Sequence, residues 1–401
     1  MKTASDIGFR PGDKNGISIG VLFSQTGPMA VTEIAHLKGT LLAIEEINAS
    51  GGLNGQKLLP IIEEPASNPV TYRELARKLV AKDGVSVIFG CCSSASRKAV
   101  LPVVERYGAL LFYPSFYEGF EYSPNVFYTG ATANQMVPPL ANFLYQNYGK
   151  KFCLVGSDYI YPREINRILK EFLADSNGTV TSETYIRQGA DPSEFSKIAG
   201  LILEGAPDVI LSTVVGSDTS KLYEAYGQTG LQERGLPIAS LTTTESELVG
   251  VAEKFRAGHI TAAAYFQSIQ TPENLRFVAN YKSRFGADDV PCVYSETAYV
   301  QVLLYAQALA KAGDESPAAI ARALSSLSMM SPQGLISIDS ETNHTHLLPR
   351  IGRSNKAGLF DILWQATEAV KPDPYLVSYD RTIAAGPQAG MTFDEGRSNA
   401  S

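Results

Sequence analysis

Six residues bearing a hydroxyl or a carboxylate stand in short polar stretches directly after runs of apolar residues: Ser94, Ser115, Tyr159, Tyr161, Thr213 and Glu245. Hydroxyls both donate and accept hydrogen bonds, and tyrosine adds an aromatic face. Such a set suits a small uncharged ligand that offers a donor and an acceptor, as an amide or a urea does. The nearby cations Arg97 and Arg163 each begin a helical stretch and read first as clamps on loops. Ser94 taken alone serves equally well as a helix N-cap, and the tyrosines equally well as packing. Catalysis finds little support, because the chain has no G-x-S-x-G elbow, no H-E-x-x-H, no phosphate-binding G-x-x-x-x-G-K-[ST] and no G-x-G-x-x-G between strand and helix. His344 and His346 form a loop pair without a third ligand and read as structural. No enzyme activity and no cofactor are expected.

Composition narrows the partners. A formal charge of -7 and the lack of any dense Lys/Arg run exclude a general nucleic-acid binder. The four cysteines, Cys91, Cys92, Cys153 and Cys292, show no CxxC spacing and read as reduced structural thiols. The first sixteen residues carry Arg10, Pro11, Gly12 and Asp13 where a secretory signal needs an apolar core. A cytoplasmic protein is therefore expected, or a periplasmic one if a leader has been removed. No run approaches the roughly 18 apolar residues of a membrane helix, so no membrane insertion is expected.

The elements that must position these residues alternate in a regular way. With 401 residues, two or three domains of about 150 residues are expected. From residue 17, short β-branched and aromatic runs alternate with amphipathic stretches, the pattern of βαβ units on a parallel sheet. Strands are predicted at 17–23, 57–62, 85–89 and 109–113, with helices between them at about 37–47, 72–82 and 97–107. The pattern restarts after Tyr128 with strands at 152–155, 180–186, 208–212 and 237–241 and a helix over 162–175. Asp191 followed by Pro192 gives an N-cap and a first-turn proline, and Phe195, Ile198, Ala199 and Ile202 form a core stripe behind them. Helices are also predicted near 272–285, 296–312 and 317–327, returning to the first lobe. The segments 334–339 and 359–364 read as a closing antiparallel pair, and the Gly-, Ser- and Ala-rich end after about 383 as a tail or partner-contact segment. Ligands of open α/β sheets sit beyond the carboxyl ends of the strands, which is where the hydroxyl-bearing loops fall.

Longer stretches resemble one family. Gly90-Cys-Cys-Ser-Ser-Ala-Ser-Arg-Lys-Ala-Val-Leu-Pro-Val-Val-Glu105, the stretch from Phe112 to Asn125, Gly156-Ser-Asp-Tyr-Ile-Tyr-Pro-Arg-Glu164, Leu211-Ser-Thr-Val-Val-Gly216 and Ala239-Ser-Leu-Thr-Thr-Thr-Glu-Ser-Glu247 resemble the type I periplasmic-binding-protein family. The similarity is greatest to its amide sensors and its urea or short-chain-amide receptors, and it spans roughly residues 17 to 378. It implies an α/β fold of two Rossmann-like lobes with parallel sheets, hinged around a central cleft. The lobes would comprise residues 17–129 and 261–330 for the first and 130–260 and 331–378 for the second, followed by a tail at 379–401.

Asp158-Tyr-Ile-Tyr161, Ser212-Thr-Val-Val215 and Asp373-Pro-Tyr-Leu-Val377 are more similar to the cytoplasmic sensor of aliphatic amidase operons, which holds an RNA-binding antiterminator inactive until an amide binds. Ala43-Ile-Glu-Glu-Ile-Asn48 and Arg97-Lys-Ala-Val-Leu-Pro102 are shared with urea receptors of ABC transporters, whose partner is a permease. The resemblance thus implies an amide sensor, with a substrate-binding protein for urea, short amides or branched-chain amino acids as the alternative, and leaves a homodimer open. Carried over, the amide would rest against Ser94, Tyr113, Ser115, Tyr159 and Tyr161, with Thr213 and Tyr265 nearby. Cys92 stands where the sensors have tyrosine and Phe116 where they have proline, which leaves the ligand's size open. Chain crossings near Tyr128 to Ala131 and near His259 to Ala264 would form the hinge. A ligand that swings the lobes from about 1:99 to 99:1 must favour one state by roughly 5.5 kcal/mol.

Overall fold

The computed structural model describes residues 16–377. The expected tail at 379–401 and the first fifteen residues, where no secretory signal is read, lie outside the described residues. In the first lobe, β1 (Gly16–Leu22), β2 (Lys57–Glu63), β3 (Val87–Gly90), β4 (Leu110–Tyr113) and β5 (Val126–Tyr128) form a parallel sheet in the order β2-β1-β3-β4-β5. The helices α1 (Ala30–Ala49), α2 (Pro69–Ala81) and α3 (Ser94–Tyr107) connect these strands. In the second lobe, α4 (Ala133–Asn147) leads into β6 (Lys151–Ser157), α5 (Ile160–Asp175), β7 (Thr179–Ile186), α6 (Pro192–Gly205), β8 (Val209–Thr213), α7 (Asp218–Gly227), β9 (Ile238–Ser240), α8 (Glu245–Val249) and β10 (Ile260–Ala263). Its five parallel strands run β7-β6-β8-β9-β10, the same winding as the first sheet. The chain then returns through α9 (Pro272–Phe285), α10 (Val293–Ala312) and α11 (Pro317–Leu324) to the first lobe, where α10 packs on α1.

The strands are apolar throughout because both faces are covered. Ile19, Val21, Val87, Phe89, Leu110 and Phe112 pack on the side of α1 and α10, while Leu22, Ile88, Leu111 and Tyr113 pack with Tyr72 and Leu79 of α2 and Val100 and Val104 of α3. The second lobe repeats the arrangement, with Phe152, Leu154 and Leu211 facing α4 and α5, and Val155 and Ile210 facing α6 and α7. The predicted α6 forms as expected: the Asp191 side chain accepts from Ser193 N at 2.9 Å and Pro192 opens the first turn. Close approach of α1 and α10 depends on Gly39, where an added Cβ would lie 1.9 Å from the Ser295 carbonyl oxygen.

Two sequence expectations need correction. The segments 334–339 and 359–364 do not pair with each other. Gly334–Ile338 is β12 of a small antiparallel sheet with β11 (Ser328–Ser331) and β13 (Thr345–His346), whereas β15 (Phe360–Gln365) pairs with β14 (Arg350–Ser354), which itself joins the second sheet beside β10. Alternating strands of equal pattern do not specify their partners, and β14 with Arg350, Gly352 and Arg353 hides its strand character. The second sheet also extends to Ala263, so the chain leaves it three residues later than the boundary drawn at 260. Among the described residues three segments cross between the lobes: after β5, after β10, and between β13 and β14. The third falls after β13, at His346, and not at the boundary expected between 330 and 331. At the first, Tyr128 forms a β-bridge with His344.

Candidate functional site

The carboxyl ends of both sheets converge on one cavity. Its walls are Met29 and Thr32 after β1, Cys92, Ser93 and Ser94 after β3, Ser115 and Phe116 after β4, Tyr159 and Tyr161 after β6, Val215 after β8, Thr242 after β9, and Tyr294 at the start of α10. The cavity is small, about 20 Å³; roughly 10–15 Å³ suffices for one water. The enclosed space is therefore little more than that of one water.

The first-lobe wall is built by a tight turn at the end of β3. Cys91 adopts φ 69°, in the left-handed region, with its N–H donating to Leu22 O at 3.0 Å. The turn aims the Cys92 carbonyl at Tyr113 Oη, which donates to it at 2.6 Å. Ser93, not Ser94, caps α3 by accepting from Ser96 N at 3.1 Å, so the N-cap role open to Ser94 falls to its neighbour. Ser94 Oγ instead donates to the Glu118 carboxylate. The other oxygen of Glu118 faces Arg97 Nη2 at 3.4 Å, and Arg97 Nε donates to Glu121 at 2.7 Å. Arg97 is fully buried, lies between the rings of Tyr113 and Tyr117 and clamps the loop after β4 to α3. Burial would raise the Glu121 carboxyl, but Arg97 and Lys98 hold it below its usual range.

Ser115 Oγ lies 3.4 Å from Nε2 of His36, a fully buried ring stacked on Phe23. Burial lowers the His36 pKa to about 3, so the ring is neutral. Gly130 permits Ser115 its position, because a Cβ there would meet the Ser115 carbonyl at 2.2 Å.

The second-lobe wall is aromatic. The Tyr161 ring meets Phe116 edge-on at 5.6 Å across the cleft and lies 6.1 Å from Tyr159. Tyr161 is 3% exposed, yet its hydroxyl is buried and has no hydrogen-bond partner. Buried hydroxyls nearly always find one, so this group is available to a ligand.

Further contacts hold the lobes together beside the cavity. Thr32 Oγ1 donates to Glu247 Oε1 at 2.9 Å, and Tyr294 Oη donates to the Thr242 carbonyl at 2.9 Å. Burial raises the Glu247 carboxyl above its usual range.

Cys92, Ser94, Ser115, Phe116, Tyr159 and Tyr161 thus meet at one cavity, whereas four of the expected residues do not line it. Tyr113 stands behind Cys92. Thr213 points back at the Val155 carbonyl and at Asn166, each at 3.4 Å. Tyr265 donates to Asn274 Oδ1 at 2.8 Å. Glu245 is buried, accepts from Gln267 N at 3.1 Å, and has one oxygen without a partner; burial raises its pKa to about 8. Met29, Thr32, Ser93, Val215, Thr242 and Tyr294 also line the cavity and were missed. Met29, Ser93, Val215 and Thr242 occupy the same kind of post-strand loop and are within reach of that rule, but Thr32 lies in the first turn of α1 and Tyr294 begins a helix far along the chain.

Among the described residues no lysine or arginine lines the cavity, and no group of three His, Cys, Asp or Glu could hold a metal ion. His344 is a packing residue: Nδ1 donates to the Thr342 carbonyl at 2.6 Å, and the ring stacks on Tyr128 at 4.0 Å. Arg163 pairs with Asp158 on the surface. All four cysteines are buried free thiols. No helix among the described residues is long and apolar enough to cross a membrane.

Two doubly wound lobes with a cavity between the carboxyl ends of their strands define a hinged binding protein. Residues 17–381 match the periplasmic binding protein domain family, and the chain belongs to it. It is similar to the Leu/Ile/Val-binding protein homolog 6 of Brucella abortus, 26% identical over 82% of this chain and 85% of that protein. It is also similar to the leucine-, isoleucine-, valine-, threonine-, and alanine-binding protein of Pseudomonas aeruginosa, 25% identical over 81% of this chain and 86% of that one. Among solved structures, a solute-binding protein of an ABC transporter from Rhodopseudomonas palustris, in complex with p-hydroxybenzoic acid, superimposes with a TM-score of 0.81 at 23% identity, covering 91% of this chain and 100% of that one. The fold is therefore the type I periplasmic binding protein fold.

Proposed function

We propose that this chain is the solute-binding receptor of an ABC-type importer for a short uncharged amide or urea. The observation that carries the ligand class is the cavity lining: hydroxyls from both lobes, an unpartnered buried Tyr161 hydroxyl, and no lysine or arginine among the described residues. The nearest buried guanidinium, Arg97, is engaged by two carboxylates. The small cavity favours a solute of few atoms over the amino acids and aromatic acids in the names of its relatives. The relatives and the family favour import and a periplasmic location over regulation.

A ligand donor and acceptor would bridge Ser94 and Ser115 of one lobe to Tyr159 and Tyr161 of the other. Closure then follows from contacts available only when both lobes are in place. The cytoplasmic amide-sensor reading is kept as second because Tyr159 and Tyr161 of its Tyr-Ile-Tyr pattern do face the cavity. Calorimetric titration with urea, formamide, acetamide, butyramide and leucine separates the ligand classes. The proposal expects an uncharged amide or urea to bind, with Ser115→Ala and Tyr159→Phe each weakening it, and leucine binding alone would refute it. Co-purification with an RNA-binding antiterminator instead of a permease would decide for the sensor.

A further inference from the structure

We infer that Glu118 is a specificity-determining positioning residue: by accepting the hydrogen bond that Ser94 can donate, it leaves that hydroxyl only as an acceptor, so the cavity selects solutes that present an N–H. The inference rests on the proposed ligand class and narrows it. Glu118 lies outside the cavity wall but is 2% exposed, and the Ser94 hydroxyl hydrogen is directed at one of its oxygens. A hydroxyl has one hydrogen and two lone pairs. With the hydrogen committed to a carboxylate, only lone pairs are left for a ligand. The carboxylate is held in place from behind by Arg97, which faces its other oxygen at 3.4 Å. Tyr161, across the cleft, has the opposite status: its buried hydroxyl is unpartnered and free to donate.

The two lobes therefore offer unlike groups, an acceptor from Ser94 and a donor from Tyr161. A primary amide or urea complements both, with N–H toward Ser94 and carbonyl oxygen toward Tyr161. A ketone leaves Ser94 unsatisfied, and a carboxylate sets an oxygen against a lone pair backed by a negative charge. The relatives whose names and complexes carry carboxylate ligands would be distinguished from this chain at that point.

Glu118→Gln tests the proton's direction. The side-chain oxygen of the glutamine turns toward Arg97, because guanidinium donates only, and its NH₂ then donates to Ser94. The Ser94 hydrogen is released into the cavity, converting an acceptor to a donor. Acetamide, acetone and acetate differ only in the group beside the carbonyl, NH₂, CH₃ or O⁻, and serve as calorimetric probes. The unaltered protein is expected to bind acetamide at least about tenfold more tightly than acetone or acetate, the scale of one buried hydrogen bond left unmade. Glu118→Gln is expected to reduce the acetamide-to-acetate preference by about tenfold or more. Ser94→Ala, which leaves the Arg97 cluster intact, is expected to bring acetamide and acetone close to parity. Glu121→Gln neutralises a carboxylate on the same arginine without touching Ser94 and is expected to keep the wild-type preference.

An unchanged preference in Glu118→Gln, or the same loss in Glu121→Gln, overturns the assignment while leaving the amide reading intact. If the unaltered protein binds leucine but neither acetamide nor urea, the amide reading fails and takes the assignment with it.

Discussion

Replacing Tyr161 by phenylalanine should move stability and binding in opposite directions. The Tyr161 ring is packed against Phe116 and Tyr159, and its hydroxyl is buried without a partner. An unsatisfied buried hydroxyl costs about 1–3 kcal/mol, and phenylalanine removes that cost while keeping the ring contacts. The ligand-free protein should gain about 1 kcal/mol. In the complex the same hydroxyl donates to the solute carbonyl, so its loss leaves that oxygen unpaired and weakens binding by about 1–3 kcal/mol, a factor of about five to 150. Thermal unfolding of ligand-stripped protein reads the first effect as a higher midpoint, and calorimetry with acetamide reads the second. A lower midpoint combined with unchanged affinity would refute the reasoning, since the hydroxyl would then be structural and not directed at a ligand.

Three other substitutions probe the frame around the site. Glu245 is held protonated by burial up to about pH 8, whereas the unfolded chain releases that proton near the ordinary 4.5, so its contribution to stability is lost as pH rises through this window. Glu245→Gln should therefore stabilise the protein at pH 8.5 by up to about 4 kcal/mol relative to its effect at pH 5, and equal effects at the two pH values would show that the carboxyl is not buried neutral. Arg97→Met leaves buried Glu118 without a cation and Glu121 with Lys98 alone, and should cost about 3–5 kcal/mol in denaturant unfolding; a near-neutral result would mean that the carboxylates are hydrated. Gly39→Ala, favourable in an isolated helix, should here cost about 1–3 kcal/mol because its methyl meets the Ser295 carbonyl, and a gain in thermal stability would contradict the close packing of α1 on α10.

Much of the fold was legible because burial on both faces writes itself as uninterrupted apolar runs, as in Val87–Gly90 and Leu110–Tyr113, and because α6 carries its own cap, proline and stripe. β14 was not legible: Arg350 and Arg353 are unlike a strand, and the Arg350 guanidinium is paid for by contacts with Gln333, Ala264 and Gln365 that only the tertiary structure supplies. α4 contains Pro138 and Pro139, which read as breaks in a sequence. For the site, the rule that ligand groups follow strands picks out Ser94, Ser115, Tyr159 and Tyr161, which line one cavity. It also admitted Thr213, which follows a strand but turns its hydroxyl back into the lobe. Glu118 escaped notice because its effect passes through a partner that is close in space and 24 residues away in sequence.

A crystal structure of the protein grown with acetamide tests the central claim most directly. The account predicts the amide between the lobes, its nitrogen within hydrogen-bond distance of Ser94 Oγ and its oxygen within hydrogen-bond distance of Tyr161 Oη. An empty cleft at saturating acetamide, or an anionic solute retained there in its place, would contradict it.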